Sequence, residues 1–96
     1  MMTPTEGKIE RAFCRWCEKL KLPCEKLGVG IRGWPDRCVV LRNGRVLWVE
    51  FKTSKGVLSH QQKFVHLKLR NAGHTVVVAR TLEEAIEATE KFDESI

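Results

Sequence analysis

The dipeptide Asn43-Gly44 stands between two apolar runs and restricts the possible folds of this chain more than any other feature. The run RCVVLR (37–42) precedes it and the run RVLWVEFK (45–52) follows it. Asn-Gly is the strongest short-range signal for a tight β-hairpin. The two runs are therefore predicted to pair as antiparallel strands, with residues 42 and 45 flanking the turn.

The second strand of this hairpin has apolar residues on both faces, which is typical of a central strand. Because side chains alternate along a strand, one face carries Val46, Trp48, Glu50 and Lys52, and the other carries Leu47, Val49 and Phe51. Charged groups at the end of a buried strand are uncommon unless they have a partner or a function. Glu50 and Lys52 are therefore candidate site residues.

A helix and a short strand are predicted before the hairpin. Thr3, Pro4 and Glu6 have the pattern of an N-cap, a first helical residue and a capping-box partner. Apolar residues then recur at helical spacing, so a helix is predicted over about 4–21. A short strand is predicted around 24–29.

The elements predicted after the hairpin are a helix opened by Ser59 and Gln62 that runs to about Asn71, a strand at 74–80, and a last helix opened by Thr81 and Glu84 that runs to Phe92. The predicted order is α-β-β-β-α-β-α. We expect one α/β domain over residues 1–96, in which helices cover a mixed sheet.

Charge and hydropathy narrow the classes of function. No run approaches the length of apolar sequence that spans a membrane, and no signal-peptide pattern is present, so an intracellular protein is expected. Residues 1–80 hold 16 Lys and Arg against 6 Asp and Glu. Such a basic body fits a phosphate-bearing partner.

Four cysteines, Cys14, Cys17, Cys24 and Cys38, include a C-x-x-C pair. Structural zinc is one interpretation of that pair, but it lies within a helical pattern and no second close pair follows. The favoured interpretation is that these are reduced thiols that act as small core residues.

The predicted hairpin places two carboxylates and an amine at one end of the sheet. Pairing outward from the turn places Asp36 opposite Phe51, and therefore beside Glu50 and Lys52. Two neighbouring carboxylates repel unless a positive charge lies between them, and a hard divalent cation takes carboxylate oxygens as ligands. The alternative interpretation is a simple salt bridge of Lys52 with Glu50 or Asp36. The presence of Asp36 across the hairpin favours a metal site over that salt bridge.

These motifs together resemble a known family. GWPD (33–36), EFK (50–52) and LSHQQ (58–62) are similar to the PD-(D/E)xK nuclease superfamily, and more closely to its VRR-NUC group. That group contains small standalone nucleases, many from phages, and the nuclease domain of the Fanconi-associated nuclease. The resemblance extends from about Glu6 to Phe92 and implies a restriction-endonuclease-like mixed sheet flanked by helices.

The resemblance also implies roles for individual residues. Asp36, Glu50 and the Phe51 carbonyl would hold Mg²⁺ or Mn²⁺, and Lys52 would be the catalytic lysine. A glutamate of the first helix completes such sites. Glu6 and Glu10 both qualify, and Glu10 is favoured because Glu6 already has a capping role. The glutamine of the motif is expected to be Gln62, with Gln61 as the alternative.

The function implied is a metal-dependent DNA endonuclease, a hydrolase of phosphodiester bonds. Standalone members of the group resemble Holliday junction resolvases, which implies four-way junctions as substrate and a homodimer with two active sites. A phage-encoded protein that acts in the cytoplasm of the host fits this resemblance. Candidate contacts to nucleic acid are Arg32, Trp34, Arg37, Lys55 and Lys63, together with His60 in the same part of the sequence.

Two alternatives to that function stay open. The first is a nuclease that acts on flaps, plain duplex or RNA. The second is a nucleic-acid-binding module that does not catalyse a reaction. The intact set of Asp36, Glu50 and Lys52 argues against the second alternative, because a nuclease that has lost its activity commonly loses one such residue.

Overall fold

The computed structural model describes residues 5–27 and 31–94. The elements in these ranges are α1 (Glu6–Lys19), β1 (Cys24–Glu25), β2 (Arg37–Val40), β3 (Val46–Phe51), α2 (His60–Asn71), β4 (Thr75–Ala79) and α3 (Leu82–Phe92). The predicted order α-β-β-β-α-β-α is confirmed. No helix within the described ranges is long and apolar enough to cross a membrane.

The four strands form one mixed sheet in the order β1-β2-β3-β4. The β1–β2 and β2–β3 pairs are antiparallel, and β3 and β4 are parallel. The parallel pair requires a crossover connection, which α2 supplies. Strand β3 lies inside the sheet and is buried from Leu47 to Phe51, so the prediction of a central strand is confirmed.

The two faces of β3 contribute to two separate hydrophobic clusters. Leu47, Val49 and Phe51 pack with residues of α1 and α3, whereas Trp48 packs with Val65 and Leu69 of α2. The predicted alternation of side chains is therefore confirmed. It also places Glu50 on the α2 face, because Glu50 has the same parity as Trp48.

The hairpin register differs from the predicted register by one residue. Val40 pairs with Val46, and the Leu41 N–H donates to the Arg45 carbonyl at 2.9 Å. The loop therefore contains three residues. A two-residue type I′ turn needs positive φ at both central positions, but only Gly44, at +83°, has it here. Continued outward, the observed register brings Asp36 opposite Glu50.

Asn43 has a tertiary role as well as a role in the turn. Its side-chain oxygen accepts from the Arg45 N–H at 3.0 Å, and its amide donates to the Phe92 carbonyl at 3.1 Å. The buried Asp93 accepts from the Asn43 N–H at 3.2 Å. These bonds fasten the end of α3 to the hairpin turn, and they favour the three-residue loop over the predicted one.

The ends of several predicted elements are corrected. Thr5 is the N-cap of α1 and its side chain accepts from the Lys8 N–H at 3.2 Å, so Glu6 is the first helical residue and not the capping-box partner. Thr3 and Pro4 lie outside the described residues, as do positions 28 and 29 of the predicted first strand. The Ser59–Gln62 capping box is present with both of its hydrogen bonds.

Gly33 allows the loop that carries Asp36 to pack against the start of α2. Its φ is +81°, and a Cβ there would lie 2.7 Å from the Gln61 carbonyl oxygen. Gly44 has nearly the same φ of +83°, but a Cβ there would meet nothing within 4 Å. A Cβ at Gly44 would therefore cause backbone strain alone, whereas a Cβ at Gly33 would cause the same strain and a steric clash.

We expect Gly33→Ala to destabilise the protein considerably more than Gly44→Ala. Gly44→Ala should cost about 1–2 kcal/mol, the strain of a left-handed backbone at a residue with a Cβ. Gly33→Ala should cost about 1–3 kcal/mol more, because main-chain atoms of Gln61 must move. Urea unfolding of both variants measures this difference, and equal losses of stability would show that the Gly33–Gln61 contact is unimportant.

Candidate active site

Asp36 and Glu50 meet at the end of the β2–β3 pair. The Asp36 Oδ2 atom accepts a hydrogen bond from the Phe51 N–H at 2.7 Å, so the Asp36 side chain lies against the backbone of β3. A hydrogen bond between the Asp36 and Glu50 carboxyl groups helps to raise the pKa of Glu50. The predicted meeting of these two residues is therefore present, although through a different register.

Glu50 is a buried acid with an unusual pKa. Its exposed fraction is 2%. Burial raises the pKa of Glu50 to about 8, and the hydrogen bond and negative charge of Asp36 act in the same direction. The positive charge of Lys52 acts in the opposite direction. At neutral pH without a cation, the pair therefore retains a proton.

Two side chains of α2 reach Glu50 from the opposite side. Gln62 Nε2 lies 3.4 Å from Glu50 Oε2, and His66 Nε2 lies 3.2 Å from Glu50 Oε1. The residues are four positions apart and so project from the same face of the helix. Gln62 also keeps its capping role, since its Oε1 atom accepts from the Ser59 N–H at 2.9 Å.

His66 is a residue of the site that sequence reasoning missed. It is wholly buried, and its ring contacts the acid that forms the centre of the site. Burial and the charge of Arg70 lower its pKa below the usual range. The Gln62-x-x-x-His66 spacing on a helix was the available signal, because it places a second polar group beside the expected glutamine.

The loop after β3 is held in place next to Lys52. Arg80 Nη1 donates to the carbonyls of Thr53 and Gly56, each at 2.7 Å, and the Lys52 N–H donates to the Ala79 carbonyl at 3.0 Å. A Cβ at Gly56 would lie 3.2 Å from the Lys52 side chain. The loop thus packs against the stem of Lys52, whose ammonium charge acts on Glu50.

The two candidate glutamates of α1 have different surroundings. Glu10 accepts from Arg37 Nε at 2.7 Å, and Lys26 Nζ lies 3.3 Å from the same oxygen. Glu6 is exposed, and its charge contributes to the raised pKa of Glu50. Glu6 therefore acts electrostatically on the acid pair, whereas Glu10 is tied to the residue that follows Asp36.

The candidate contacts to nucleic acid divide into free and engaged side chains. Arg37 is engaged, because it bonds Glu10 and also donates to the Cys24 carbonyl at 3.3 Å. The exposed candidates are Arg32, Trp34, Lys55, His60 and Lys63, and Gln61, the alternative to Gln62, is exposed as well. The Trp34 ring makes an edge-on contact with Trp48 and keeps 37% of its surface exposed, so it can both pack and offer a face.

The C-x-x-C pair lies on α1, whose buried residues pack against the face of β3 that carries Leu47, Val49 and Phe51. Cys17 is buried in the cluster between the sheet, α1 and α3. Cys14 Sγ lies 3.7 Å from Cys24 Sγ, and burial raises the pKa of Cys14 to about 11. Cys17 is therefore a core residue, and Cys14 and Cys24 are half-buried thiols in contact with each other.

The donor set at the acid pair suits a hard divalent cation. Within the described ranges, no three His, Cys, Asp or Glu side chains are arranged to enclose a metal ion. Mg²⁺ does not need such a cage, since it is commonly bound by one or two carboxylates with water and substrate phosphate completing its shell. A cation would also replace the proton that the Asp36–Glu50 pair retains.

The sequence itself matches a known domain family. The profile of the VRR-NUC domain matches residues 5–82, which include every residue of the acid pair, β3 and α2. The chain belongs to the VRR-NUC domain family. Membership indicates a nuclease-type fold and hydrolase activity on nucleic acid. A search of curated proteins returned no match.

Solved structures agree with this membership. One, titled "VRR_NUC domain", superposes with a TM-score of 0.80 at 26% sequence identity, covering 93% of this chain and 99% of that chain. Another, titled "VRR_NUC domain protein", has a TM-score of 0.81 at 18% identity, covering 95% of this chain and 89% of that chain. At 18% identity, the second structure supports the similarity of fold alone. The predicted mixed sheet with flanking helices is therefore confirmed.

The raised pKa of Glu50 predicts how stability depends on pH. Because the folded pKa, about 8, exceeds the ordinary value of 4.5, folding favours the neutral acid. This contribution is fully present below about pH 4.5 and is lost as the pH rises through 8. We expect the free energy of unfolding of the metal-free protein to fall over this interval.

Glu50→Gln is the matched control for that measurement. Glutamine keeps the size of the side chain and cannot ionise, so the difference in pH slope between the two proteins isolates Glu50. His66 contributes in the opposite sense because its pKa is lowered. Urea unfolding in EDTA at about pH 5, 6.5 and 8 measures both slopes, and identical slopes would contradict the assigned ionisation.

Proposed function

We propose that this chain is a divalent-metal-dependent endonuclease that hydrolyses phosphodiester bonds in DNA. The observation that carries the proposal is the meeting of the half-buried Asp36 with the buried Glu50 at the end of the central strand, where the charge of Lys52 also acts on Glu50. Burying a carboxylate is costly, and a surface that only binds nucleic acid gains nothing from a buried carboxylate. A cation site for phosphate chemistry does gain from it, because the carboxylate is a ligand for the cation.

Asp36, Glu50 and the Phe51 carbonyl would hold Mg²⁺ or Mn²⁺ at this position. When bound, such a cation neutralises charge on the scissile phosphate and acidifies a water molecule. Asp36 already accepts from the Phe51 N–H, and Gln62 and His66 contact the Glu50 carboxylate. Each carboxylate oxygen can accept more than one contact, so these hydrogen bonds leave lone pairs for the cation.

Lys52 would act on the phosphate or on the attacking water. Its positive charge already lowers the pKa of Glu50, so it acts on the acid that would hold the cation. An ammonium group close to the phosphate stabilises the negative charge that develops as water adds and the bond to the leaving oxygen breaks. The packed loop at 53–56 would hold Lys52 in that position.

The α1 glutamates are assigned separate roles. Glu6 would complete the acidic site, since its charge is felt at Glu50. Glu10 was favoured from sequence, and its contacts support a different means of acting: through Arg37 it fixes the strand residue next to Asp36. Glu10 reaches the site as a ligand only if it exchanges those contacts for the cation.

The substrate and assembly are proposed from charge and family resemblance. Arg32, Lys55 and Lys63 are exposed cations, and Trp34 offers a ring face beside the loop that carries Asp36. Phosphate contacts from the basic residues and stacking on the tryptophan would hold DNA across the site. A homodimer inside the cell that engages two arms of a four-way junction is the arrangement we propose.

The first test of this function is metal-dependent cleavage. We expect labelled DNA to be cut with Mg²⁺ or Mn²⁺ and to remain intact in excess EDTA. Asp36→Asn should abolish cleavage by removing a ligand charge, and Lys52→Gln should lower it by about 10²–10³-fold while binding of Mn²⁺ persists. Full activity in EDTA, or loss of the cation in Lys52→Gln with activity retained, would contradict these assignments.

Glu6→Gln and Glu10→Gln serve as a matched pair in the same assay. Loss of a ligand lowers the affinity for Mn²⁺ and leaves the stability little changed. Loss of the Glu10–Arg37 bond instead lowers the free energy of unfolding, because a half-buried guanidinium loses its charged partner. We expect the first result for Glu6→Gln and the second for Glu10→Gln, and the reverse would restore Glu10 as the ligand.

The second test addresses assembly and substrate. Sedimentation at micromolar protein, together with competition gel shifts on junction, flap, duplex and single strand, should show a homodimer that prefers the junction at fixed salt. Two linked contacts favour the branched substrate through high local concentration, and affinity for every substrate should fall with salt. A monomer that binds junction and duplex equally would exclude this substrate while leaving metal-dependent cleavage intact.

A further inference from the structure

The buried imidazole of His66 is the polar group that the proposed chemistry leaves unexplained. Its exposed fraction is 0%, and its Nε2 atom lies 3.2 Å from Glu50 Oε1. Its Nδ1 atom is also buried, and it has no hydrogen-bond partner among the residues that the structure describes. Burying a ring with one unbonded nitrogen is unfavourable, so the single bond to Glu50 requires a reason.

The surroundings of the ring decide which nitrogen carries its proton. A neutral imidazole has one N–H donor and one acceptor nitrogen. A proton on Nδ1 would leave a buried donor without an acceptor, and it would also direct the Nε2 lone pair at the Glu50 oxygen. A proton on Nε2 satisfies both atoms of the contact. The arrangement assigns the Nε2–H tautomer whenever Glu50 is ionised.

We propose that His66 is a positioning residue that donates from Nε2 to Glu50 Oε1 and so sets the orientation of the carboxylate that holds the cation. Gln62 Nε2 approaches the other oxygen of the same carboxylate at 3.4 Å. Two donors from one face of α2 therefore fix the plane of the Glu50 carboxylate, whose terminal torsion is otherwise soft. This inference rests on the proposed function, because it concerns the same cation site.

The arrangement differs from simple filling of the core. An apolar side chain of similar size would pack between β3 and α2 equally well and would leave no nitrogen unbonded. Partners that orient a ligating group typically contribute about 10–100-fold in metal affinity. A contribution of that kind is measurable in the absence of any DNA, since it acts on the binding of the cation itself.

The test compares His66→Gln with His66→Asn by titration calorimetry of the whole chain with Mn²⁺. Glutamine extends an amide N–H to about the position of Nε2, whereas asparagine ends near Nδ1 and cannot reach Glu50. We expect the Gln variant to bind Mn²⁺ within about threefold of the wild type, and the Asn variant about 10–100-fold more weakly. Cleavage by the Asn variant should recover as the Mn²⁺ concentration is raised.

Thermal unfolding of the metal-free variants checks that both fold. If His66→Asn does not fold, His66→Leu takes its place, because leucine also fills the site and lacks a donor. Equal Mn²⁺ affinity in the wild type and in the variant without a donor overturns the role of His66 and leaves the metal site standing. A wild-type protein that binds no Mn²⁺ overturns both this inference and the proposed function.

Discussion

The structure depends on a carboxylate buried at the end of its central strand. Glu50 lies between the sheet and α2 with almost none of its surface exposed, and an isolated charge there would be strongly unfavourable. The protein relieves this in three ways: the raised pKa of Glu50 favours its neutral form, Lys52 supplies an opposing charge, and α2 supplies hydrogen bonds. Each of these groups is also what a cation site for phosphate chemistry requires. The same interaction therefore constrains the fold and supports the proposed function.

The remaining architecture keeps those groups in place. The parallel β3–β4 pair brings Ala79 beside Phe51, and Arg80 then reaches back to hold the loop that follows Lys52. Gly33 lets the loop before Asp36 approach the main chain of Gln61. The acid pair thus lies where a hairpin, a helix start and a loop converge, and contacts to main-chain atoms anchor each of them.

Much of the site could be predicted because its residues lie on regular elements. Alternation along β3 placed Glu50 and Lys52 on one face, and the hairpin brought Asp36 to them even though its loop is one residue longer than predicted. The error was small in effect because Asp36 lies beside both Glu50 and Phe51 in either register. The Ser59–Gln62 capping box could equally be predicted from the sequence, since it involves groups only three residues apart.

The sequence by itself determined the order of the elements, the two faces of the central strand and the choice of an acid, a lysine and a glutamine as candidate site residues. These follow from local periodicity and from turn and capping chemistry, which act over a few residues. Only the tertiary structure decided that His66 contacts Glu50 across 16 residues of sequence, that Glu10 is held by Arg37 across 27, and that Gln62 both caps α2 and reaches the acid. The physical reason is that such partners are chosen by the packing of α1 and α2 against opposite faces of the sheet, which no short stretch of sequence encodes.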